Sequence, residues 1–204
     1  MTTGDAWQRR VRDVADLVVW TASMRPPTLA DGRLVCIDGP AGSGKSTLAA
    51  AVVDHAGVLG SVALVHLDDL LDGWGGLPQV SATLERDVLT PLREGRTARY
   101  RRYDWHQERF AETCEVAPVD LLVVEGVGSG ASSYASSVTT LVWVEAPAQL
   151  RLARGIERDG EALLPQWRRW MADEDALFVR ERTRERADLL VDGTGEADAA
   201  VVLG

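Results

Sequence analysis

Nine consecutive residues, Gly39-Pro-Ala-Gly-Ser-Gly-Lys-Ser-Thr47, constrain this chain more than any other stretch. They follow the G-x-x-x-x-G-K-[ST] spacing. In such a loop glycines let the backbone turn its N–H groups inward onto phosphate oxygens, and the helix that follows adds its N-terminus. Lys45 is the only lysine of the chain; every other strong base among the 22 is arginine. A compact ammonium reaches between β- and γ-phosphates where a planar guanidinium fits less well. Ser46 offers a hydroxyl to Mg²⁺. The flanks agree: Arg33–Asp38 reads as a short apolar strand, and Thr47 onward continues as a helix. A strand, a phosphate loop and a helix in that order predict a nucleotide-binding α/β fold that takes ATP, with GTP left open, together with Mg²⁺. The contacts are expected from Gly39, Ala41, Gly42, Ser43, Gly44, Lys45, Ser46 and Thr47.

A chain of 204 residues supports one good core and little more. It is read as a single domain over 1–204, with a helical extension at 1–31 and a short lid near 151–165. No apolar run is long enough for a bilayer span, and Met1–Arg10 lacks the apolar segment of a signal peptide. A cytoplasmic protein with no membrane partner is expected. The net charge of −9 disfavours non-specific nucleic-acid binding, which rests on counterion release from phosphates. Arginines nevertheless gather in 93–109 and 151–186, a pattern that suits a small anionic ligand, although sign-alternating helix surface accounts for much of 168–186. Cys36 and Cys114 show no ligand spacing. Cys36 lies in the first strand as a small hydrophobe, and a disulfide is not expected. His55, His66 and His106 are scattered, so no zinc site is expected.

Apolar periodicity predicts a helix over 5–22 with Val11, Val14, Ala15, Val18 and Val19 on one face. A helix over 45–56 and a strand over 61–67 follow. Asp68 and Asp69 come next, and then the glycine-rich loop 72–76. Helix is expected over 79–94, capped by Gly95, and a short β excursion over 97–105. Further strands are expected at 119–125, 139–145 and 187–191, with helices at 148–158 and 163–184. Strands written as unbroken apolar runs between helices predict a three-layer α/β fold, a five-stranded parallel sheet with helices on both faces.

Three features narrow the chemistry. The chain contains no asparagine, so the Asn-Lys-x-Asp guanine-reading motif is absent. Acids end two strands, Asp68/Asp69 and Glu125, where ligands of open parallel sheets bind. Arg151, Arg154 and Arg158 fall on one helix face. In this order, the phosphate loop, His66-Leu-Asp68-Asp69-Leu, Tyr103-Asp104-Trp105 with Arg109, Val-Val-Glu125-Gly126, Arg151-Leu-Ala-Arg154-Gly-Ile-Glu-Arg158-Asp159 and Arg186-Ala-Asp-Leu-Leu-Val191 resemble the uridine kinase family of P-loop small-molecule kinases. Phosphoribulokinase and pantothenate kinase are its more distant relatives. The likeness covers about 33–192.

The resemblance implies that Asp68 is the general base and a metal contact, and that Glu125 holds Mg²⁺ through water or binds substrate hydroxyls. Ser46 completes the metal set. It further implies that Tyr103 and Trp105 form a wall for a flat base or sugar, and that Arg109 and Asp69 bind polar substrate edges. Lys45, Arg154 and Arg158 would clamp the transferring phosphate. Each has a plainer alternative: Asp68 a helix cap, Glu125 a strand-end acid, Tyr103 and Trp105 core aromatics, Arg109 a solvated side chain, the helix arginines a salt-bridged face. Trp167 and Trp170 are read as packing. Three departures fall mainly on the acceptor pocket: the lid is short, Trp replaces Phe at 105, and the histidine expected before the next arginine has no clear counterpart, since Glu108 stands directly before Arg109 and His106 lies elsewhere. The expected activity is therefore ATP-dependent phosphotransfer to a hydroxyl, a nucleoside first. A nucleoside monophosphate, a sugar acid, pantothenate or an antibiotic are alternative acceptors, and a nucleotide-dependent regulatory binder is a reading from another class. A homo-oligomer is left open.

Overall fold

The computed structural model describes residues 3–201, and side chains from 10 to 199. Its elements are α1 (Thr3–Ser23), β1 (Arg33–Asp38), α2 (Lys45–His55), β2 (Val62–His66), α3 (Leu77–Leu84), α4 (Thr90–Arg93), β3 (Ala98–Asp104), β4 (Arg109–Val116), β5 (Leu121–Glu125), β6 (Thr140–Glu145), α5 (Ala148–Asp159), α6 (Leu164–Glu181), α7 (Thr183–Arg186), β7 (Leu189–Asp192) and β8 (Ala200–Val201).

The main sheet runs β2-β5-β1-β6-β7-β8. Its first five strands are parallel, and β8 adds a short antiparallel edge to the five expected. Because side chains alternate across a strand, each strand feeds two cores. Val35, Ile37, Leu121, Val123, Val142 and Val144 face α1 and α2, where Val11, Val14, Ala15, Val18 and Val19 are buried as the periodicity predicts. Leu34, Cys36, Leu122, Val124 and Leu141 face the other way, onto α3 and α6. The result is the expected three-layer arrangement. No helix among the described residues is long and apolar enough to cross a membrane.

Two local expectations gain detail and one needs correction. The helix expected over 79–94 runs without a break over 77–93 but contains a π turn at Glu85–Leu89. Pro91, which has no N–H to donate, follows at the start of α4. The helix expected over 163–184 ends at Glu181, where Arg182 takes the left-handed conformation with φ of 51° and α7 begins anew. The β excursion over 97–105 is one arm of a hairpin whose other arm, β4, carries too mixed a pattern to be read as a strand. This β3–β4 hairpin is a separate two-stranded sheet, bulged between Arg101 and Tyr103.

Parallel register carries the functional acids to one edge. Glu125 is paired with Ile37 of β1 on one side and with His66 of β2 on the other. Asp38 closes β1, just before the phosphate loop.

Candidate functional site

The phosphate loop connects β1 to α2. Gly39 has φ of 134°, and a Cβ there would sit 2.1 Å from the Val144 carbonyl oxygen, so the backbone passes where only glycine fits. Gly42, at φ of 78°, meets the Arg151 carbonyl in the same way, at 2.7 Å. No side chain caps the start of α2. Its first-turn amides, which have no acceptor within the helix, face the loop as anion donors. Lys45 is buried, its Nζ donating to the Pro40 carbonyl at 3.0 Å. Ser43 is fully buried and its Oγ has no partner. A buried hydroxyl left unsatisfied costs about 1–3 kcal/mol; a phosphate oxygen in the cradle would relieve that cost.

The loop is gripped from outside. Glu174 of α6, fully buried, accepts from the Ala41 amide at 2.8 Å, from Arg151 Nη1 at 2.7 Å and from Trp170 Nε1 at 3.0 Å. Ala41 therefore turns its N–H outward onto this carboxylate. Burial holds the Glu174 carboxyl above its usual range, against the pull of the Ala41 amide and of Lys45 and Arg151. Arg154 donates to the carbonyls of Gly42 at 3.0 Å and Gly193 at 3.3 Å, bridging the loop to the end of β7. On the inner side Asp38, fully buried, accepts from the amides of Gly39 (2.7 Å), Gly128 (2.9 Å) and Gly130 (2.8 Å).

Glu125 is buried, and its Oε1 accepts from Ser46 Oγ at 3.1 Å and meets His66 Nδ1 at 2.6 Å. Burial alone would raise its pKa; the His66 hydrogen bond and the Lys45 charge outweigh that and leave it low. His66 is raised in turn, chiefly by this bond. Asp68 stands at the start of the turn after β2, open to solvent but hemmed by protein. Crowding and then the Glu125 charge push its carboxyl up, while Lys45, Arg158 and His66 pull it down. Those five groups thus share one field. Arg158 lies on the face of Trp167, 5.6 Å from the ring centroid, and is held by Asp159 at 2.7 Å.

Aromatic side chains flank Asp68. Trp105 Nε1 donates to the Asp68 carbonyl at 3.2 Å. Trp105 meets Tyr103 at 5.2 Å and Trp74 at 5.7 Å, centroid to centroid, and Trp74 goes on to Trp167 at 6.1 Å and Trp170 at 5.9 Å. All these contacts are edge-to-face, the geometry that aromatic quadrupoles favour. Asp69, beside Asp68, is raised mainly by burial. Arg109 is apart from this group: it lies exposed at the hairpin end and bonds Gln107 Oε1 at 2.6 Å. Trp167 and Trp170 are buried, as packing residues are.

Thus Ser46, Lys45, Glu125, Asp68, Arg158, Trp105 and Tyr103 come together, while Arg109 does not and Arg154 meets the loop's carbonyls. Sequence reasoning missed Asp38, His66, Trp74 and Glu174. Two had a local signal: Glu174 interrupts the buried stripe Trp167, Trp170, Leu177, and Trp74 is an aromatic inside a glycine-rich loop.

Mg²⁺ takes only one or two protein oxygens when phosphates and water complete its shell. The described residues hold no cluster of three or more metal-ligating side chains. The Ser46 hydroxyl and the Glu125 carboxylate, 3.1 Å apart beside the cradle, with Asp68 in the same field, fit that modest demand.

No family model matches the sequence, and no curated protein does. Solved structures do. A possible uridine kinase from Bacillus stearothermophilus is 21% identical with a TM-score of 0.66, covering 89% of this chain and 98% of its own. A D-glycerate 3-kinase from Cryptococcus neoformans var. grubii is 14% identical at a TM-score of 0.59, covering 94% and 99%. A candidate fructose transport system kinase from Silicibacter sp. TM1040 is 17% identical at 0.60, covering 83% and 94%. The chain has the P-loop kinase fold. These structures match it along nearly their whole length, and at such identity they speak to the fold.

Proposed function

We propose that this protein is an ATP-dependent kinase that transfers the γ-phosphate to a hydroxyl of a small molecule, with a nucleoside as the first acceptor to consider. The observation that carries the reading is the convergence of Lys45, Ser46, Glu125 and Asp68 at the C-terminal ends of β1, β2 and β5, with Arg158 in the same field. A P-loop alone would serve a switch equally well; a free carboxylate beside it, backed by an aromatic wall, serves phosphotransfer.

In this reading Asp68 accepts the proton of the acceptor hydroxyl as its oxygen attacks the γ-phosphorus. Its upward pKa helps a base, but in a loose transition state the proton leaves late and orientation contributes more. Lys45 and Arg158 neutralise charge on the phosphoryl oxygens from two sides. Ser46 and Glu125, with Asp68, would hold Mg²⁺, which supplies further neutralisation when bound. His66 fixes the Glu125 carboxylate through its 2.6 Å contact. Arg154, bonded to Gly42 and Gly193, acts by holding the loop. Trp105 offers a flat face beside the base, which favours a nucleoside, the acceptor class named for the Bacillus structure.

A coupled ADP-release assay with Mg-ATP across nucleosides, sugars and hydroxy acids tests this. Turnover stimulated by one acceptor and lost in Asp68→Asn is expected. Stimulation that survives Asp68→Asn would remove the base from the mechanism, and binding of ATP with no stimulation by any acceptor would favour the regulatory binder.

A further inference from the structure

The charges around the acceptor wall are unevenly partnered. All four arginines of the β3–β4 hairpin are engaged: Arg99 with Glu115 at 2.7 Å, Arg101 with the Phe110 carbonyl at 2.7 Å, Arg102 with Glu112 at 2.6 Å and Arg109 with Gln107 at 2.6 Å. Arg158, on the other bank, is held by Asp159 at 2.7 Å and 3.0 Å. The carboxylates of the facing turn are in the contrary state. Asp68, Asp69 and Asp72 are all at least partly open, and none makes a side-chain hydrogen bond or ion pair.

Tyr103 adds a second, independent observation. Its ring is buried at 6% exposure, while its hydroxyl, open to solvent, makes no hydrogen bond to protein. That hydroxyl reaches the turn of the same loop, 3.0 Å from where a Cβ on Gly73 would stand, between Asp72 and Trp74. Desolvation first, then Asp72 and Glu108, disfavour the phenolate, so the hydroxyl keeps its proton and can donate. A buried aromatic ring that carries an uncommitted hydroxyl to an open turn is suited to a ligand.

Carboxylates only accept hydrogen bonds. Three of them along one loop therefore complement ligand O–H and N–H groups and repel ligand carboxylate or phosphate. The tryptophan faces complement a flat ring, and more strongly a cationic one. We infer that the surface formed by Asp68–Trp74, Tyr103 and Trp105 takes an uncharged or cationic, flat-faced polyol and rejects acceptors that carry a carboxylate or phosphate. This rests on the kinase reading and narrows it. Nucleoside monophosphates and hydroxy acids are excluded, although the Cryptococcus protein of the same fold is named for glycerate. His66 and Arg102 weaken this field at Asp69, and Glu112 neutralises Arg102 in place; Lys45, Arg158 and His66 weaken it at Asp68.

Two matched triads test the inference: uridine, 5-aminomethyluridine and uridine-5-carboxylate; and glucose, glucosamine and gluconate. Each is titrated against the protein with ADP and Mg²⁺ while tryptophan fluorescence is followed, and each is then assayed for ADP release from ATP. The neutral and cationic members of at least one triad should saturate, with the anionic member at least tenfold weaker in binding and in kcat/KM. Asp72→Asn should narrow that gap. An anionic member that binds as tightly as its neutral partner overturns the inference and leaves the kinase reading standing. Charge-selective binding without turnover does the reverse. A signal from ADP but from no member of either triad would also overturn it, because the wall would then not be an acceptor site.

Discussion

The phosphate loop and the aromatic wall meet at Asp68 yet are built differently. The loop is buried and held from three directions, by Glu174 and Arg151, by Arg154, and by Asp38. Every grip on it is a hydrogen bond to main chain or a buried ion pair. The wall hangs on a two-stranded hairpin and a glycine-rich turn; its arginines are satisfied locally and its carboxylates are free. Phosphate geometry is the same whatever the acceptor, so rigidity there costs nothing in scope. In the proposed kinase the acceptor side would set specificity, and its loops can vary without disturbing the sheet. Substitutions in the loop should therefore cost stability and activity together, and substitutions in the wall activity alone.

The largest effect is expected from Glu174→Ala. It would strand the buried Arg151 charge and the Ala41 amide, and removing one partner of a buried pair costs about 3–5 kcal/mol. Urea unfolding checks this; a loss under about 1 kcal/mol would mean the grip is dispensable. Lys45→Ala comes next. Transfer should fall about a hundredfold or more, by analogy with removal of one charge-stabilising donor. Because Lys45 is buried on the Pro40 carbonyl, some stability should go with it, contrary to an exposed loop lysine. Trp105→Ala should break the pattern the other way. Acceptor KM should rise about tenfold while the unfolding midpoint stays put, since the side chain is 37% exposed.

The smallest expected effect concerns pH. Glu125 is lowered in the folded state, so its contribution is fully present above the ordinary carboxylate range and is lost as pH falls through its own depressed pKa. His66 is raised, so its contribution is present below the ordinary imidazole value and lost as pH rises through the folded one. His66→Gln should flatten the neutral-to-alkaline limb of a stability–pH profile and leave the rest. A limb unchanged by the substitution would show that the contact does not matter in solution.

Legibility followed the same division. Gly39–Thr47, the strand-end acids and the two-sided sheet were readable because each is local: a spacing, an apolar run, an acid closing it. Glu174 and Asp38 were not, because their roles come from amides distant in sequence, at Ala41 and at Gly128 and Gly130. His66 needed the β2–β5 register, which pairs it with Glu125. The mixed pattern of β4 hid the hairpin; Trp74, an aromatic in a glycine-rich loop, carried a local signal, but its packing on Trp105 is visible only in the fold.

The most direct test of the central claim is single-turnover transfer from γ-labelled ATP at saturating nucleotide, comparing the natural protein with Asp68→Asn. Label on the acceptor hydroxyl, a loss of about 10²–10⁴ in rate in the variant, and unchanged ATP affinity are expected. Transfer at the natural rate by Asp68→Asn, with the acceptor still labelled, would contradict the claim.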